Sequence, residues 1–211
     1  AVLAEEAYCD DAKLEKPVDK HGKPKRPAWD LTKMKPRKQV LADIGPEGAH
    51  FGEIKALCHI KHHERPESEW IYKGRVVYRG DCTRNETGHL AVFTEQGTSA
   101  SHMAGTKLLD IIARFEGCDG QDADAESAYT QLTLEESAKL LGTGAIPPTW
   151  ISLPRDRWPE SWKDKNGNWP VDPVCPLISN LYGHPLAGLL WDKFSQEKIL
   201  SCGFQKIKGW E

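Results

Sequence analysis

Two strand-like runs joined by a short polar turn limit the folds that this chain can adopt. The runs FGEIKALCHI and EWIYKGRVVYRG are rich in β-branched and aromatic residues, and the segment HHERPES between them is typical of a turn. The pattern predicts a two-stranded antiparallel ribbon. Lys73 and Arg75 stand two residues apart in the second run, so one face of the ribbon is expected to be basic.

The segments after the ribbon show helix and strand patterns in irregular order. Helical spacing of apolar residues predicts one helix that includes Leu108 and Phe115. It predicts another that has Ala187 and Phe194 on one side and Gly203 after it. Thr133 and Glu136 have the spacing of a capping box, and Gly142 is placed to end the helix that they open. TWISLP is expected to be a strand, and VCPLISNLYG a strand that runs into a turn. Without regular strand–helix alternation, the class predicted is α+β.

The N-terminal part of the chain is basic and rich in proline. Between Lys13 and Lys38 there are ten Lys or Arg residues against three Asp or Glu residues, hence a net charge of +7. Four prolines in the same stretch disfavour a helix, so an extended, solvated segment is expected. We therefore predict a flexible basic segment or linker over residues 1–45 and a folded domain over 46–211. The segment is either an arm that attracts phosphate groups or a linker that its charge keeps solvated.

Composition excludes a membrane-spanning or secreted class. The chain has 211 residues, of which 39% are hydrophobic and 28% charged, and no apolar run approaches the roughly 20 residues that a membrane span needs. The first residues lack the basic start and apolar middle of a signal peptide. An intracellular protein is expected, and its six scattered cysteines are expected to be free thiols. The sequence starts at Ala1 and is expected to be a piece of a longer protein.

Asp122 and Asp124 stand two residues apart among small residues, after the first predicted helix. On a strand the two carboxylates would share one face. Grouped carboxylates suit Mg²⁺, which binds one or two of them and completes its shell with water and phosphate oxygens. An exposed loop rich in Asp, Ala and Gly is the alternative.

The order of the motifs resembles the reverse transcriptase of copia-type retrotransposons. The resemblance starts with a tryptophan in AWDLTKM, continues with the ribbon motif YKGRVVYRG and a Gly-containing polar stretch before a long helix, and includes Asp-x-x-x-Ala-Tyr from Asp124 to Tyr129. TWISLP, VCPLISNLYG and a helix closing in Gly203-Phe204 follow. These elements cover roughly residues 28 to 208, and such an ordered series is more specific than any single motif.

The resemblance implies a right-hand polymerase fold, with fingers and a partial palm in which an antiparallel sheet packs with helices. Asp124 would be the first metal-binding aspartate, a catalytic residue that holds Mg²⁺, with Asp122 as its neighbour. Tyr129 would lie under the incoming sugar and select deoxynucleotides. Lys73 and Arg75 would face the triphosphate, where their cationic heads offset charge on the phosphate oxygens.

The resemblance also implies the partners of the chain: an RNA or DNA template with a primer, and deoxynucleoside triphosphates, with no membrane. Tyr182 and Gly183 match the Leu-Tyr-Gly turn that lies against template and nucleotide. After this turn the family usually continues Leu-Lys-Gln-Ala-Pro-Arg, whereas this chain has His184 to Gly188, with the basic and amide side chains missing. The location implied is the cytoplasm, the nucleus or virus-like particles.

The family reaction is phosphoryl transfer with two metal ions about 4 Å apart. Its other carboxylates belong to a Tyr-x-Asp-Asp hairpin after the Gly-Phe helix, and this sequence has no such string downstream of Asp124. Tyr8-Cys9-Asp10-Asp11 lies upstream and lacks apolar strands on both sides, so we interpret it as unrelated. We expect the purified chain not to extend a primer; measurable incorporation of deoxynucleotides would contradict this.

Two other features allow a non-enzymatic interpretation. Cys58, His59, His62 and His63 have spacings at which a Cys and a His share a zinc ion, although no second pair at comparable spacing follows. The alternative is that Cys58 packs under the ribbon while the histidines face solvent. Tryptophans 158, 162 and 169 either stack on bases or, as we expect, hold a long loop onto the sheet. The second function considered is a non-catalytic nucleic-acid-binding or structural remnant of a mobile element, with zinc as an option.

Overall fold

The computed structural model describes residues 27–45, 48–93, 103–120, 124–125, 127–142 and 146–206. Within these ranges the chain is α+β, with a mixed five-stranded sheet in the order β1-β5-β4-β2-β3. The strands are β1 (Lys35–Pro36), β2 (His50–Lys61), β3 (Ile71–Tyr78), β4 (Thr149–Ser152) and β5 (Pro173–Pro176). The helices are α1 (Arg37–Ala42), α2 (Met103–Ile112), α3 (Leu134–Leu141) and α4 (Ala187–Ser201).

The ribbon predicted from the two strand-like runs is confirmed. Strands β2 and β3 pair antiparallel in an unbroken register from Ile54 opposite Tyr78 to Lys61 opposite Ile71. Ile54 and Tyr78 are buried in the core, whereas Ile71 and Tyr72 are more than half exposed. The ribbon therefore has one end anchored in the sheet and one end that projects into solvent.

The sheet is mixed, which corrects the expectation of an antiparallel sheet. Strand β2 pairs parallel with β4, with Phe51 opposite Trp150, while the other three pairings are antiparallel. A parallel neighbour requires a long crossover connection, and here the whole segment between β2 and β4 provides it. Period-two alternation within a strand does not encode the direction of its neighbour, so the sequence pattern could not predict the parallel pair.

The main core lies between the sheet, the start of α3 and the loop that carries tryptophans 158, 162 and 169, which we call the Trp-rich loop. Ile151, Cys175, Leu181 and Leu190 have no exposed surface. Trp162 packs into this core with 7% exposure, and the other two tryptophans of the loop pack against it. The indole N–H of Trp162 donates to the carbonyl oxygen of Leu31 at 3.0 Å. The prediction that these tryptophans hold the long loop onto the sheet is therefore confirmed.

The fold begins earlier than the predicted boundary at residue 46. Ala28 and Trp29 are buried, and the Ala28 carbonyl oxygen accepts hydrogen bonds from the backbone N–H groups of residues 178 and 179. Arg37 opens α1, forms a 2.9 Å ion pair with Asp172 and stacks over the Phe51 ring at 5.1 Å. Residues 27–45 are therefore folded rather than a flexible linker, because their apolar and cationic side chains find partners in the sheet. Residues 1–26, including the Tyr8–Asp11 string, lie outside the described ranges.

The helix predictions differ in accuracy. The capping box of α3 is present, with Thr133 and Glu136 bonding each other's backbone N–H, and Gly142 ends the helix in the left-handed conformation. Helix α2 stops at Ile112, before the predicted Phe115, and its apolar side chains are exposed. Helical spacing therefore located α2, but the apolar side that it indicates is exposed in the described structure rather than packed in the core.

Candidate functional site

The turn after Leu181 is held tightly against the end of β3. The backbone N–H of Tyr78 donates to the Tyr182 carbonyl oxygen at 2.7 Å. Gly183 has a φ of +86°, and a Cβ atom added there would overlap the Tyr78 carbonyl oxygen. Only glycine combines this left-handed conformation with so close an approach. The Gly183 backbone therefore packs directly against the backbone of β3.

Tyr129 is positioned by a short 3-10 turn, Ala128–Gln131. Ser127, just before it, has a φ of +54°, and its carbonyl oxygen accepts from both the backbone N–H and the hydroxyl of Thr130. Non-glycine residues in this conformation are strained and occur often at functional sites. Leu132 follows and is buried, which anchors the far end of the turn. The Tyr129 ring is therefore presented from a backbone fixed on both sides.

The structure brings three predicted site residues together. The ring centroids of Tyr129 and Tyr182 lie 4.4 Å apart at an angle of 60°. The guanidinium carbon of Arg75 lies 5.9 Å from the centroid of the Tyr182 ring, at the outer range of a cation–π contact. We refer to these residues as the Arg75–Tyr182–Tyr129 cluster. Arg75 is exposed and the two rings are half-buried, so the cluster presents a cation and aromatic surface to solvent.

Two further predicted site residues, Lys73 and Asp124, are not among the three that form this cluster. The Lys73 backbone lies in β3 opposite His59, and its side chain is outside the described part of the structure. Asp124 is exposed in an irregular segment rather than on a strand, and Asp122 is outside the described ranges. Asp124 therefore does not lie on a strand, and the strand arrangement in which it would share a face with Asp122 is absent at this position.

No three His, Cys, Asp or Glu side chains group closely enough to hold a metal ion within the ranges that the structure describes. Cys58 is exposed opposite Gly74, which corrects the expectation that it packs under the ribbon. His62 and His63 lie instead 3.8 and 3.6 Å from carboxylate oxygens of Glu64. The four residues of the zinc hypothesis are thus spread along the projecting end of the ribbon.

An open groove of about 860 Å³ adjoins the cluster. Leu57, which pairs with Arg75 across the ribbon, lines this groove together with Phe93 and Gly183. Among the charged residues that also line it, the Arg79 guanidinium contacts carboxylate oxygens of Glu53 at 2.9 Å and Asp81 at 3.1 Å. The lining of the groove therefore mixes apolar side chains with charged ones.

His184 is a buried residue that the sequence did not single out. Its side chain sits behind the Tyr182–Gly183 turn with 4% exposure, 5.0 Å from the Tyr78 ring and 6.0 Å from the Phe93 ring between centroids. Burial lowers its pKa to about 3, so the ring is neutral at neutral pH. The departure from the family pattern after Gly183 was the one signal that could have drawn attention to this position.

Of the helices that the structure describes, none has the length and apolar character needed to cross a membrane. No protein-family model, curated protein or solved structure matches the chain. The assignment of a function therefore depends on the motifs and on the geometry of the site.

Proposed function

We propose that the chain is the fingers and part of the palm of a copia-type reverse transcriptase, an RNA-directed DNA polymerase. Its Arg75–Tyr182–Tyr129 cluster would receive a deoxynucleoside triphosphate on a primed RNA or DNA template. The proposal is supported by the ordered motifs over residues 28 to 208 and by one observation about three residues that are far apart in sequence. The Tyr182 ring lies 4.4 Å from the Tyr129 ring between centroids, and its centroid lies 5.9 Å from the guanidinium carbon of Arg75.

The chemistry of the cluster suits a nucleotide. A guanidinium forms short, charge-assisted hydrogen bonds to phosphate oxygens, often in pairs. The flat Tyr129 ring can exclude a 2′-hydroxyl from the space that it borders, because the ring is braced by Tyr182 and cannot turn away freely. Lys73, two residues from Arg75 along β3, would add a second cation for the triphosphate.

Mg²⁺ would enter this proposal through Asp124. An exposed carboxylate fits one Mg²⁺ that takes its other oxygens from water and phosphate. Among the described residues, no three His, Cys, Asp or Glu side chains are grouped closely enough to hold a metal ion, so by themselves these residues do not form a two-metal site. The function proposed for this chain is accordingly binding of nucleotide and primed template, with bond formation assigned to the longer polymerase.

A binding experiment with a matched pair of arginine variants tests the proposal. We expect Arg75→Ala to weaken binding of the magnesium complex of a deoxynucleoside triphosphate, in the presence of primed template, by about tenfold or more, since hydrogen bonds to charged groups contribute about 1.5–3 kcal/mol. Arg65→Ala is the control, because Arg65 is exposed on the same ribbon and pairs with Glu69. Titration calorimetry or fluorescence anisotropy provides the dissociation constants.

Tyr129→Ala separates the two functions under consideration. For a polymerase site, this variant is expected to bind ribonucleotides and deoxynucleotides with similar affinity, whereas the unmodified chain discriminates against ribonucleotides. Binding of primed template without any binding of nucleotide would support the non-catalytic remnant instead. Equal affinities for nucleotide in the Arg75 and Arg65 variants would contradict the proposed role of the cluster.

A further inference from the structure

The ring of His184 is enclosed from several directions. Its Nδ1 accepts the backbone N–H of Leu186 at 3.3 Å, so the neutral ring carries its proton on Nε2. Nε2 is buried and has no hydrogen-bond partner among the described residues. The His184 carbonyl oxygen also accepts the N–H of Ala187 at the start of α4. One residue thus links the Tyr182–Gly183 turn to the first turn of the last helix.

Among the described residues, no negatively charged group faces this ring to compensate a positive charge on it. On β3 the Tyr78 hydroxyl accepts from Thr83, and burial raises the pKa of Tyr78 to about 12, so it stays neutral. On β2 the facing titratable group is His50, which would repel a charged His184 and whose own pKa is lowered by burial. Glu86 acts on His50 and not on His184. Phe93 and the start of α4 add no charge near the ring.

We propose that His184 is a proton-sensitive latch, which holds the Tyr182–Gly183 turn on β3 while it is neutral and releases the turn when it takes a proton. Protonation would make Nδ1 a donor, so it could no longer accept from Leu186. The charged ring reaches water only if the turn lifts away from Tyr78. Because Tyr182 is part of this turn, its release would also separate Tyr182 from Arg75 and Tyr129.

The pH window follows from the two pKa values of His184. In the unfolded or released chain the ring has its ordinary pKa of 6.5, and in the folded chain the pKa is about 3. Below pH 6.5 the released form therefore takes up a proton that the folded form does not. Each further unit of acidification shifts the equilibrium toward release by about tenfold, until the folded pKa is reached.

Hydrogen exchange on the purified chain between pH 7.5 and pH 5 tests the latch without requiring nucleotide binding. After correction for the intrinsic exchange rate, amides of the turn over residues 181–186 should exchange about tenfold faster per pH unit below 6.5. His184→Asn keeps a side-chain acceptor but cannot titrate, so this dependence should become clearly weaker. Any remainder would come from His50, whose pKa is also lowered by burial. His63→Asn removes an exposed histidine of the ribbon and should retain the full dependence.

Two further measurements keep the test decisive if His184→Asn folds poorly. In the unmodified chain, the His184 ring resonance should not titrate between pH 7.5 and 5 while the turn is closed. Urea unfolding should show the same loss of stability on acidification, reduced in His184→Asn relative to His63→Asn. A normal titration of the His184 ring, or identical pH dependence of turn exchange in both variants, would overturn the proposal. A failure of the chain to bind nucleotide would not contradict the proposed latch, because these measurements use no nucleotide.

Discussion

Gly183→Ala is expected to lower the free energy of unfolding by about 2–5 kcal/mol. Two costs contribute: a non-glycine residue in a left-handed conformation costs about 1–2 kcal/mol, and forcing extra atoms into a packed site costs about 1–3 kcal/mol. The added methyl group would overlap the Tyr78 carbonyl oxygen, which is backbone and cannot move aside cheaply. Urea unfolding followed by tryptophan fluorescence measures the loss.

Gly167→Ala is the matched control for this variant. Gly167 also has a positive φ, +80°, but a Cβ atom added there meets nothing within 4 Å. Its replacement should therefore cost only the backbone term, about 1–2 kcal/mol. Similar losses for the two variants would show that the turn is not packed against β3 as described. Gly183→Ala should also abolish the nucleotide binding proposed for the cluster, since the Tyr182 ring would be displaced.

Trp162→Ala should cost about 3–5 kcal/mol, because it removes a large buried ring from the core and leaves a cavity that the sheet cannot close. It also leaves the Leu31 carbonyl oxygen without its indole donor. Because this hydrogen bond links the segment around Leu31 to the Trp-rich loop, the substitution should also loosen that segment. Thermal or urea unfolding provides the magnitude, and protease sensitivity near Leu31 should increase.

Trp169→Ala provides the comparison within the same loop. Trp169 is half-buried, with Arg155 and Lys163 over its ring at 4.5 and 4.6 Å. Exposed cation–π contacts contribute about 0.5–1 kcal/mol each, so a loss of about 1–2 kcal/mol is expected. Trp162→Phe should fall between the two, since it keeps an apolar ring but loses the N–H group. A loss for Trp169→Ala as large as that for Trp162→Ala would contradict the assigned core.

Local features could be read from the sequence because their determinants are close together. The capping box of α3 needs only Thr133, Glu136 and a glycine at 142, and all three act as expected. The β2–β3 ribbon likewise depends on one turn and two neighbouring runs. The parallel pair of β2 and β4 and the burial of Trp29 could not be predicted, since both depend on contacts between distant parts of the chain.

The candidate site also has one part that could be predicted from the sequence and one part that could not. The resemblance selected Arg75, Tyr129 and Tyr182, which do meet, but no pattern indicated that the turn would seal His184 behind it. That burial comes from rings contributed by β3 and by residue 93, which no local motif encodes. The metal-binding role of Asp124 stays a prediction, because an exposed carboxylate shows no partner that would define its task.

The order of strands in the sheet has a consequence for how the protein acquires its structure. Among the described strands, the first in sequence pairs with the last, and the parallel pair joins segments on either side of the longest connection. Closing such long loops is slow, since the entropy of the whole intervening chain is lost before the contact forms. During synthesis, β5 would have to leave the ribosome before this sheet could close, and until then the ribbon would expose unpaired strand edges that are prone to aggregate.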